Sequence, residues 1–402
     1  MPHAVIVGAG PAGAALAYLL ARRGIEVTLL ERARDFEREF RGEVLMPSAF
    51  DALGQMGLGK LVAEVPQVRI RRVRVYLDGR PLLAADLDAA AFGGVPPALV
   101  SQPRLLEALV ARAGVFERFR LLRGAVVRDV LSRSGRVVGV RAQTPDGERE
   151  IRGDVVIGAD GRASVIRRRS GARVRASRTR MDVVWCKLPL PDFQGADPHL
   201  RGYLGGGHLL IAAPAADGRL QLGWVIRKGR YGELRARGIA EWIEQLARHV
   251  SPDLAGHLLE HRSEAVHPFL LDVRSDRVAR WCNQGAWLIG DAAHTLSPVG
   301  AQGLNIAVRD SLVAANHLLP ALLAGARPDA LDAAAGRFQA ERLPEVRTIQ
   351  RLQALAPPLV LSPARWARLL LRASPLALRF MPSGGAVARR FANGVTQVKL
   401  RV

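Results

Sequence analysis

Short apolar runs that end in glycine set the rhythm of this chain. His3 to Val7 is almost wholly apolar, the pattern of a strand buried on both faces of a parallel sheet. It empties into Gly8-Ala9-Gly10-Pro11-Ala12-Gly13, and the alanine- and leucine-rich stretch Ala12 to Arg23, stopped by Gly24, predicts a helix. Ile25 to Leu30 predicts a second strand, and Glu31 closes it eighteen residues after Gly13. Each glycine has a distinct task in such a unit. Gly8 permits the tight turn, Gly10 lets the backbone approach a pyrophosphate, and Gly13 lets helix and strand pack closely. The helix N-terminus would offer free N–H groups and a positive dipole end to phosphates, while Glu31 could accept a ribose hydroxyl. Strand, helix, second strand and acid in register predict a dinucleotide-binding βαβ unit.

The same pattern returns twice. Val155 to Ile157 runs into Gly158-Ala159-Asp160-Gly161-Arg162, followed by a helix bearing Arg167. Ala286 to Ile289 runs into Gly290-Asp291, followed by Pro298, the turn Gly300-Ala301-Gln302-Gly303-Leu304-Asn305, and a helix from Ile306 to Leu322. Ligands of parallel α/β sheets sit beyond the carboxyl ends of the strands, so three such ends suit one long, extended cofactor. Asp291 could hydrogen-bond a polyol chain, and the Gly300 to Asn305 turn could offer N–H groups to a polarised carbonyl. Plainer readings stay open for some of these residues. Asp160 and Asp291 also fit turn or N-cap positions, and Gln102 also fits the start of a helix from Arg104 to Ala113. Arg41 also fits a surface arginine near Arg32, Arg34 and Arg38. His294 reads as structural rather than as a base.

Between these units the period changes. Val68 to Leu77 alternates apolar and basic residues and turns at Asp78-Gly79; Gly207 to Pro214 and Arg219 to Ile226 flank an Asp217-Gly218 turn, a hairpin signature. With the helical stretch Ile239 to His249, these segments predict a mostly antiparallel sheet inserted into an α/β protein. The expected layout is a discontinuous Rossmann-like dinucleotide-binding domain (1–65, 100–175 and 265–330), an inserted mostly antiparallel β-sheet domain (66–99 and 176–264), and a C-terminal helical region (331–402).

Composition narrows the class. Among 402 residues, 49% are hydrophobic and 40 are glycine, as in a globular α/β protein able to bury a large core. No apolar run approaches the roughly 20 residues of a bilayer span, and an N-terminus that enters the first strand at once predicts no signal peptide. Two cysteines, Cys186 and Cys282, predict no disulfide framework and a cytoplasmic location. The nine histidines lack metal-ligand spacing. A net charge of +21 raises nucleic acid as a partner, but no nucleic-acid module or aromatic-interleaved basic run appears. The charge concentrates in one place: Val346 to Val402 holds ten basic residues and no acidic one. There Ser362-Pro363 predicts a helix start, with Arg365, Arg368 and Arg372 on one face and Trp366 and Leu370 on another. Two readings stand open, a basic helix resting peripherally on an anionic membrane or a helix packed on the protein with a solvated arginine face.

Over residues 1 to 330 the chain resembles the class A flavoprotein monooxygenases, the para-hydroxybenzoate hydroxylase-like family. Gly8, Gly10, Pro11, Ala12, Gly13, Glu31 and Arg32 are similar to its FAD fingerprint region, and Arg41 to the arginine that meets the FAD pyrophosphate. Gln102 resembles a ribityl- or phosphate-reaching glutamine, and Gly158 to Ser164, with Asp160, the Asp-Gly motif associated with FAD and NAD(P)H. Gly290-Asp291 resembles the ribityl-binding Gly-Asp motif, and Pro298, Gly300, Gln302, Gly303, Leu304 and Asn305 the loop lining the isoalloxazine ring. The resemblance implies an FAD-dependent monooxygenase. NAD(P)H and dioxygen would serve to hydroxylate an electron-rich, aromatic small molecule through a flavin hydroperoxide in a dry pocket. With no second dinucleotide fold, NAD(P)H would dock transiently in a groove. The resemblance names no catalytic base. A flavin-dependent reductase or dehydrogenase of isoprenoid-reductase type shares the fold, and a non-catalytic FAD-binding accessory protein is a further alternative. A halogenase is disfavoured, since Trp224-Val225-Ile226-Arg227 lacks the Trp-x-Trp-x-Ile-Pro signature.

Overall fold

The computed structural model describes residues 1–37, 43–87, 95–177, 179–195, 197–205, 207–380 and 389–402; side-chain placement is not described at 267 and 374–380. Its first layer is a six-stranded sheet in the order Cys282–Asn283, Ala286–Leu288, Val155–Gly158, His3–Val7, Glu26–Glu31 and Phe119–Arg123. The five strands from Ala286–Leu288 onward run parallel, with Val5 between Val156 and Thr28 and Gly158 beside Leu288. Their near-continuous Val, Ile and Leu content suits burial on both faces. One face packs on the helices Pro11–Arg22, Gln102–Ala113 and Gly303–Leu323, which share with it a core that includes Ile6, Leu16, Leu29, Leu105, Ile157, Trp287 and Leu312.

The second layer is a seven-stranded sheet in the order Val266–Leu271, Met181–Pro189, Arg219–Arg227, His208–Pro214, Leu200–Gly205, Arg72–Leu77 and Arg80–Asp86. It is antiparallel except where Leu200–Gly205 runs parallel to Arg72–Leu77. Trp224, Leu222 and Leu210 on its outer face pack on Trp242, Leu246 and Leu254 of the helices Ile239–Ala247 and Pro252–Glu260. Strand Val266–Leu271 lies past the expected border at 264, because its backbone completes the edge of this sheet beside Met181–Pro189. Within 66–99, Gln67–Arg69 and Ala98–Val100 pair instead with Val44–Leu45 in a small sheet of their own. That small sheet ties the two layers together.

The C-terminal region holds a 33-residue helix, Pro328–Val360, and a further helix, Arg365–Phe380. The latter starts three residues beyond Ser362. The last residues form an extended tail, clipped where Gln55 bonds the backbone of Val398 and Leu400 and where Asn316 bonds that of Lys399 and Arg401. Part of the basic segment is therefore tied to the body of the protein, while Trp366, Leu369 and Leu370 stay exposed. Among the described residues one helical stretch, Val299–Leu323, has the length and apolarity of a membrane span, and it is buried in the core.

Candidate functional site

Two helix N-termini meet without side-chain caps. The helix Pro11–Arg22 begins at Gly10, and Gly303–Leu323 begins at Gln302; neither has a side-chain cap. The N–H groups of Gly10, Ala12 and Gly13, and those of Gly303, Leu304 and Asn305, meet no acceptor among the described residues. Open helix starts favour negative charge. The glycines explain the shape of the first. Gly8 sits at φ +101°, and a methyl on Gly13 would lie 2.0 Å from the Gly8 carbonyl oxygen. A methyl on Gly10 would meet nothing within 4 Å, so the loop has clear space in front of it.

Glu31 ends its strand buried, accepting Ala9 N–H at 2.9 Å and Ala33 N–H at 3.0 Å, so it braces the glycine loop from below. Arg32 beside it is exposed. Arg41 lies outside the described residues. Gln102 is the first residue of its helix, half-buried, and makes no side-chain hydrogen bond among the described residues.

Gly290 brings the third strand end to the first. A methyl built on it would lie 3.1 Å from Ala12 Cβ, and Ser311 on the following helix bonds the Ala12 carbonyl at 2.8 Å. Next to it the Asp291 carboxylate accepts Arg162 Nε at 3.2 Å, with about a third of the side chain exposed. The Asp-Gly turn acts differently from the expectation for its acid. Asp160 accepts Ser164 Oγ at 2.5 Å, Val165 N–H at 2.6 Å and Ile166 N–H at 3.2 Å, which commits its carboxylate to the start of the short helix Val165–Arg169. Burial raises the pKa of that carboxyl, against these bonds. What this turn presents to the site is Arg162. Arg167, half an element further on, donates to the carbonyls of Ala292 (3.2 Å) and Arg162, fastening the two acidic turns to one another.

The turn after Pro298 is shaped from within. Gly300 takes φ +70°, and Phe391 stands where a side chain would go, so both torsion and space call for glycine. Gln302 is wholly buried, and its amide donates to the carbonyls of Gly300 and Phe391, both at 2.8 Å. Asn305, also buried, accepts Met46 N–H at 2.7 Å and donates to Val44 O and Ala301 O. These two side chains hold the turn and the strand Val44–Leu45, leaving backbone groups to face the cleft. His294 is buried against Asp310 and serves the core.

Opposite this turn stands the inner face of the seven-stranded sheet. Val75, Gly202, Ile211, Gly223 and Trp185 are cross-strand neighbours there. Gly223 is required because the Trp185 ring lies over it, within 2.6 Å of where a methyl would sit. Val75, Trp185, Leu209 and Ile211 stay partly exposed although they lie on central strands, so the layers leave an apolar chamber between them. Val299 of the turn packs in the same cluster as Met181, Val183, Trp185 and Leu209. At one end of this face sit Lys187 and its cross-strand partner Gln221, both buried, and Glu43 beside them. Burial pushes the Glu43 carboxyl up to about 7, even though Lys187 pulls it down. Sequence reasoning missed Arg162, Glu43 and Lys187 as site groups. A lone lysine inside the apolar strand Met181–Pro189 was the available signal.

A separate cavity of about 640 Å³ lies between the strand pair Val174–Arg175 and Arg277–Val278 and the helix Pro328–Val360. Arg175, Arg180, Arg277, Arg347 and Arg351 line it, with no carboxylate among its lining residues. Its field draws anions.

Residues 2–351 match the family model described as FAD binding domain. The chain is 33% identical to a 6-methylpretetramide 4-monooxygenase of Streptomyces rimosus, over 98% of this chain and 93% of that protein. It is 29% identical to the 3-amino-4-hydroxybenzoate 2-monooxygenase PtnB3 of Streptomyces platensis, over 87% and 86% of the two chains. Among solved structures, Pseudomonas aeruginosa PqsL in complex with 2-aminobenzoylacetate superposes with a TM-score of 0.77 at 25% identity, covering 92% of this chain and 99% of that one. The p-nitrophenol 4-monooxygenase PnpA of Pseudomonas putida DLL-E4 has the same fold, with a TM-score of 0.81 at 17% identity and coverage of 99% and 100%.

Proposed function

Because this chain belongs to the class A flavoprotein monooxygenases, sharing their FAD binding domain and one-third of its residues with a family hydroxylase, we propose that the cleft between its two sheets hydroxylates a phenolic ring. It is an FAD-dependent oxidoreductase of aromatic small molecules, with NAD(P)H and dioxygen as co-substrates. One observation carries the residue assignments: Gly290 packs against Ala12 and Ala307, near the uncapped helix starts at Gly10 and Gln302, which suits an extended nucleotide with a diphosphate at its middle and a ring that gains negative charge on reduction.

In this reading Gly8 to Gly13 hold the diphosphate and Glu31 the adenosine ribose. Asp291, oriented by Arg162 and by the Arg167 clamp, takes the ribityl hydroxyls. When bound, FAD supplies reduction by NAD(P)H and the activation of dioxygen that places one oxygen atom on the substrate ring. The chain does the rest. Free N–H groups of Gly303 to Asn305 stabilise negative charge on the ring side of the cleft. Asn305 fixes the turn against Val44 and Met46, so these donors are set before charge develops. Trp185, Ile211, Leu209 and Val299 give the ring an apolar bed and keep water out. The phenolic class is supported by relatives named for aromatic hydroxylation, including a probable NADH-specific resorcinol 4-hydroxylase of Rhodococcus jostii.

Anaerobic titration of the yellow protein with NAD(P)H across a panel of phenols tests this. The expected result is faster flavin reduction with a true substrate and a hydroxylated product once air is admitted. Product formed without air would instead identify a reductase or dehydrogenase.

The membrane-surface reading of the C-terminal helix belongs to the same proposal at a finer level. Exposed Trp366, Leu369 and Leu370 beside exposed Arg365 and Arg372 support it. Co-sedimentation with anionic but not zwitterionic vesicles is the expected result, and equal recovery in both supernatants would refute it.

A further inference from the structure

We infer that Glu43 is the base that takes the proton from the substrate hydroxyl, and that the Lys187 ammonium, anchored by Asp217, stabilises the carboxylate form of that base. The inference rests on the aromatic-hydroxylase reading above and adds to it the base that the resemblance left unnamed.

Glu43 is an odd residue for its place. It adjoins the strand Val44–Leu45 that Asn305 ties to the ring-side turn, and its carbonyl accepts Val100 N–H at 2.8 Å. Its backbone is thus held beside the cleft while its side chain reaches toward the opposite sheet. The side chain is 9% exposed, and Oε2 has no hydrogen-bond partner among the described residues. Its other oxygen stands 4.0 Å from Lys187 Nζ, beyond hydrogen-bond distance. A buried carboxylate oxygen without a donor is costly, and native structures seldom keep one without a purpose. As a mere strut between the layers, Glu43 would be expected to close on the lysine.

The lysine has another partner. Lys187 Nζ lies 2.5 Å from Asp217 Oδ2, on the turn between His208–Pro214 and Arg219–Arg227. The Asp217 side chain is 48% exposed, while that of Lys187 is 7% exposed. The three groups therefore form a graded series, from an acid with one oxygen free of hydrogen bonds, through a buried ammonium, to a carboxylate in water. Lys187 and Asp217 are the charged groups that act on Glu43. Gln221, across the strand from Lys187 and with Oε1 also unpartnered, adds a polar wall at the same end. A phenol lying on Trp185 and Ile211 with its hydroxyl toward this end would meet Glu43 Oε2, a buried carboxylate oxygen that has no donor among the described residues.

The chemistry balances without any redox step. The substrate O–H bond breaks, its electron pair stays on the oxygen, and an O–H bond forms on Glu43. The phenolate pushes density into the ring at its ortho and para carbons, which then attack electrophilic oxygen more readily. Glu43 returns to its ionised form by giving the proton to water, and the Lys187 ammonium, held by Asp217, stabilises the carboxylate so formed. A base near neutrality matches this task better than an ordinary carboxylate.

The test uses FAD-loaded enzyme labelled at the glutamate carboxyl carbon, as wild type, Glu43→Gln and Glu43→Asp. Resorcinol, p-nitrophenol and 3-amino-4-hydroxybenzoate serve as probes, and the visible flavin band corrects each rate for cofactor content. The expected results are one carboxyl resonance titrating near 7 that is missing in Glu43→Gln, and product formation lowered by about 100-fold or more in that variant. The acidic limb of the pH profile should vanish with it, and Glu43→Asp should restore part of both rate and limb. Glutamates that all titrate in the ordinary range, or an active Glu43→Gln with an unchanged profile, would overturn the assignment alone. Wild-type enzyme that oxygenates no phenol would overturn the hydroxylase reading and this inference with it.

Discussion

Asp310 accepts His294 Nε2 at 2.7 Å, and the same carboxylate oxygen accepts the N–H of Gly290 at 3.2 Å. The turn that carries Asp291 is therefore fixed from beneath by a buried acid twenty residues away on the next helix. Arg342 Nε reaches the other oxygen at 2.8 Å and, with Glu345 and Arg309, extends the network between the helices Gly303–Leu323 and Pro328–Val360. Burial pushes the Asp310 carboxyl up, but His294 and Arg342 outweigh it and hold the carboxyl below its usual value.

Removing that carboxylate leaves His294 buried without its partner and Arg342 with Glu345 alone. Asp310→Ala should lose roughly 3–5 kcal/mol of stability, the range seen when a buried ion pair is broken. Thermal unfolding checks the loss, and flavin release should accompany it. The wild-type contribution has a defined pH sense. A depressed folded pKa makes it present above the ordinary carboxylate range and lost as pH falls through the folded value.

Two neighbouring glycines should fail in different ways. Gly13→Ala drives a methyl against the Gly8 carbonyl and should destabilise the protein by roughly 3 kcal/mol or more, bound or unbound. Gly10→Ala has room and a φ of −69° that alanine accepts, so the apoprotein should change by no more than about 0.5 kcal/mol. Its FAD affinity should nevertheless drop, because the free space is where the diphosphate would lie. Unfolding curves and flavin titrations of both apoproteins separate these outcomes; normal FAD affinity in Gly10→Ala would count against the placement.

Asp291→Ala breaks a partly exposed pair with Arg162, worth about 1 kcal/mol or less to the fold. Its expected effect lies in the cofactor: severe loss of FAD on gel filtration with an intact circular dichroism spectrum. A variant purified with full flavin would remove Asp291 from the site.

Glu43 should make the protein less stable as pH rises. Its folded pKa of about 7 stands above the ordinary glutamate value of 4.5, so the folded state holds the proton more tightly across that window. Stability then falls between those values and levels off above the upper one, by up to about 3 kcal/mol. Glu43→Gln lacks the ionisation and should gain on wild type at mildly alkaline pH while losing hydroxylation. Parallel stability–pH curves for the two proteins would show that the carboxyl is not perturbed.

Local pattern carried the cofactor side of this protein a long way. The run His3 to Val7, the spacing of Gly8, Gly10 and Gly13, and the two later strand ends all have causes within a few residues: burial of a parallel strand, steric room, and a helix start. The hairpin around Asp217-Gly218 was legible for the same reason. Side-chain roles were less so. Asp160 and Asp291 both follow the glycine that ends a buried strand, yet one binds the start of a helix and the other pairs with Arg162 from the neighbouring strand end. Asn305 and Gln302 read as ring-lining residues but turn inward to hold backbone.

Sequence alone determined where strands end and which turns must be glycine, since those depend on torsion angles and on the alternation of neighbouring side chains. Tertiary structure alone decided that Glu43, Lys187 and Asp217 form one series, that Asp310 supports Gly290, and that the basic tail is clipped back by Gln55 and Asn316. The physical reason is range. A hydrogen bond or an ion pair depends on distance in space, and the packing of two sheets brings together groups whose separation along the chain carries no trace of that contact.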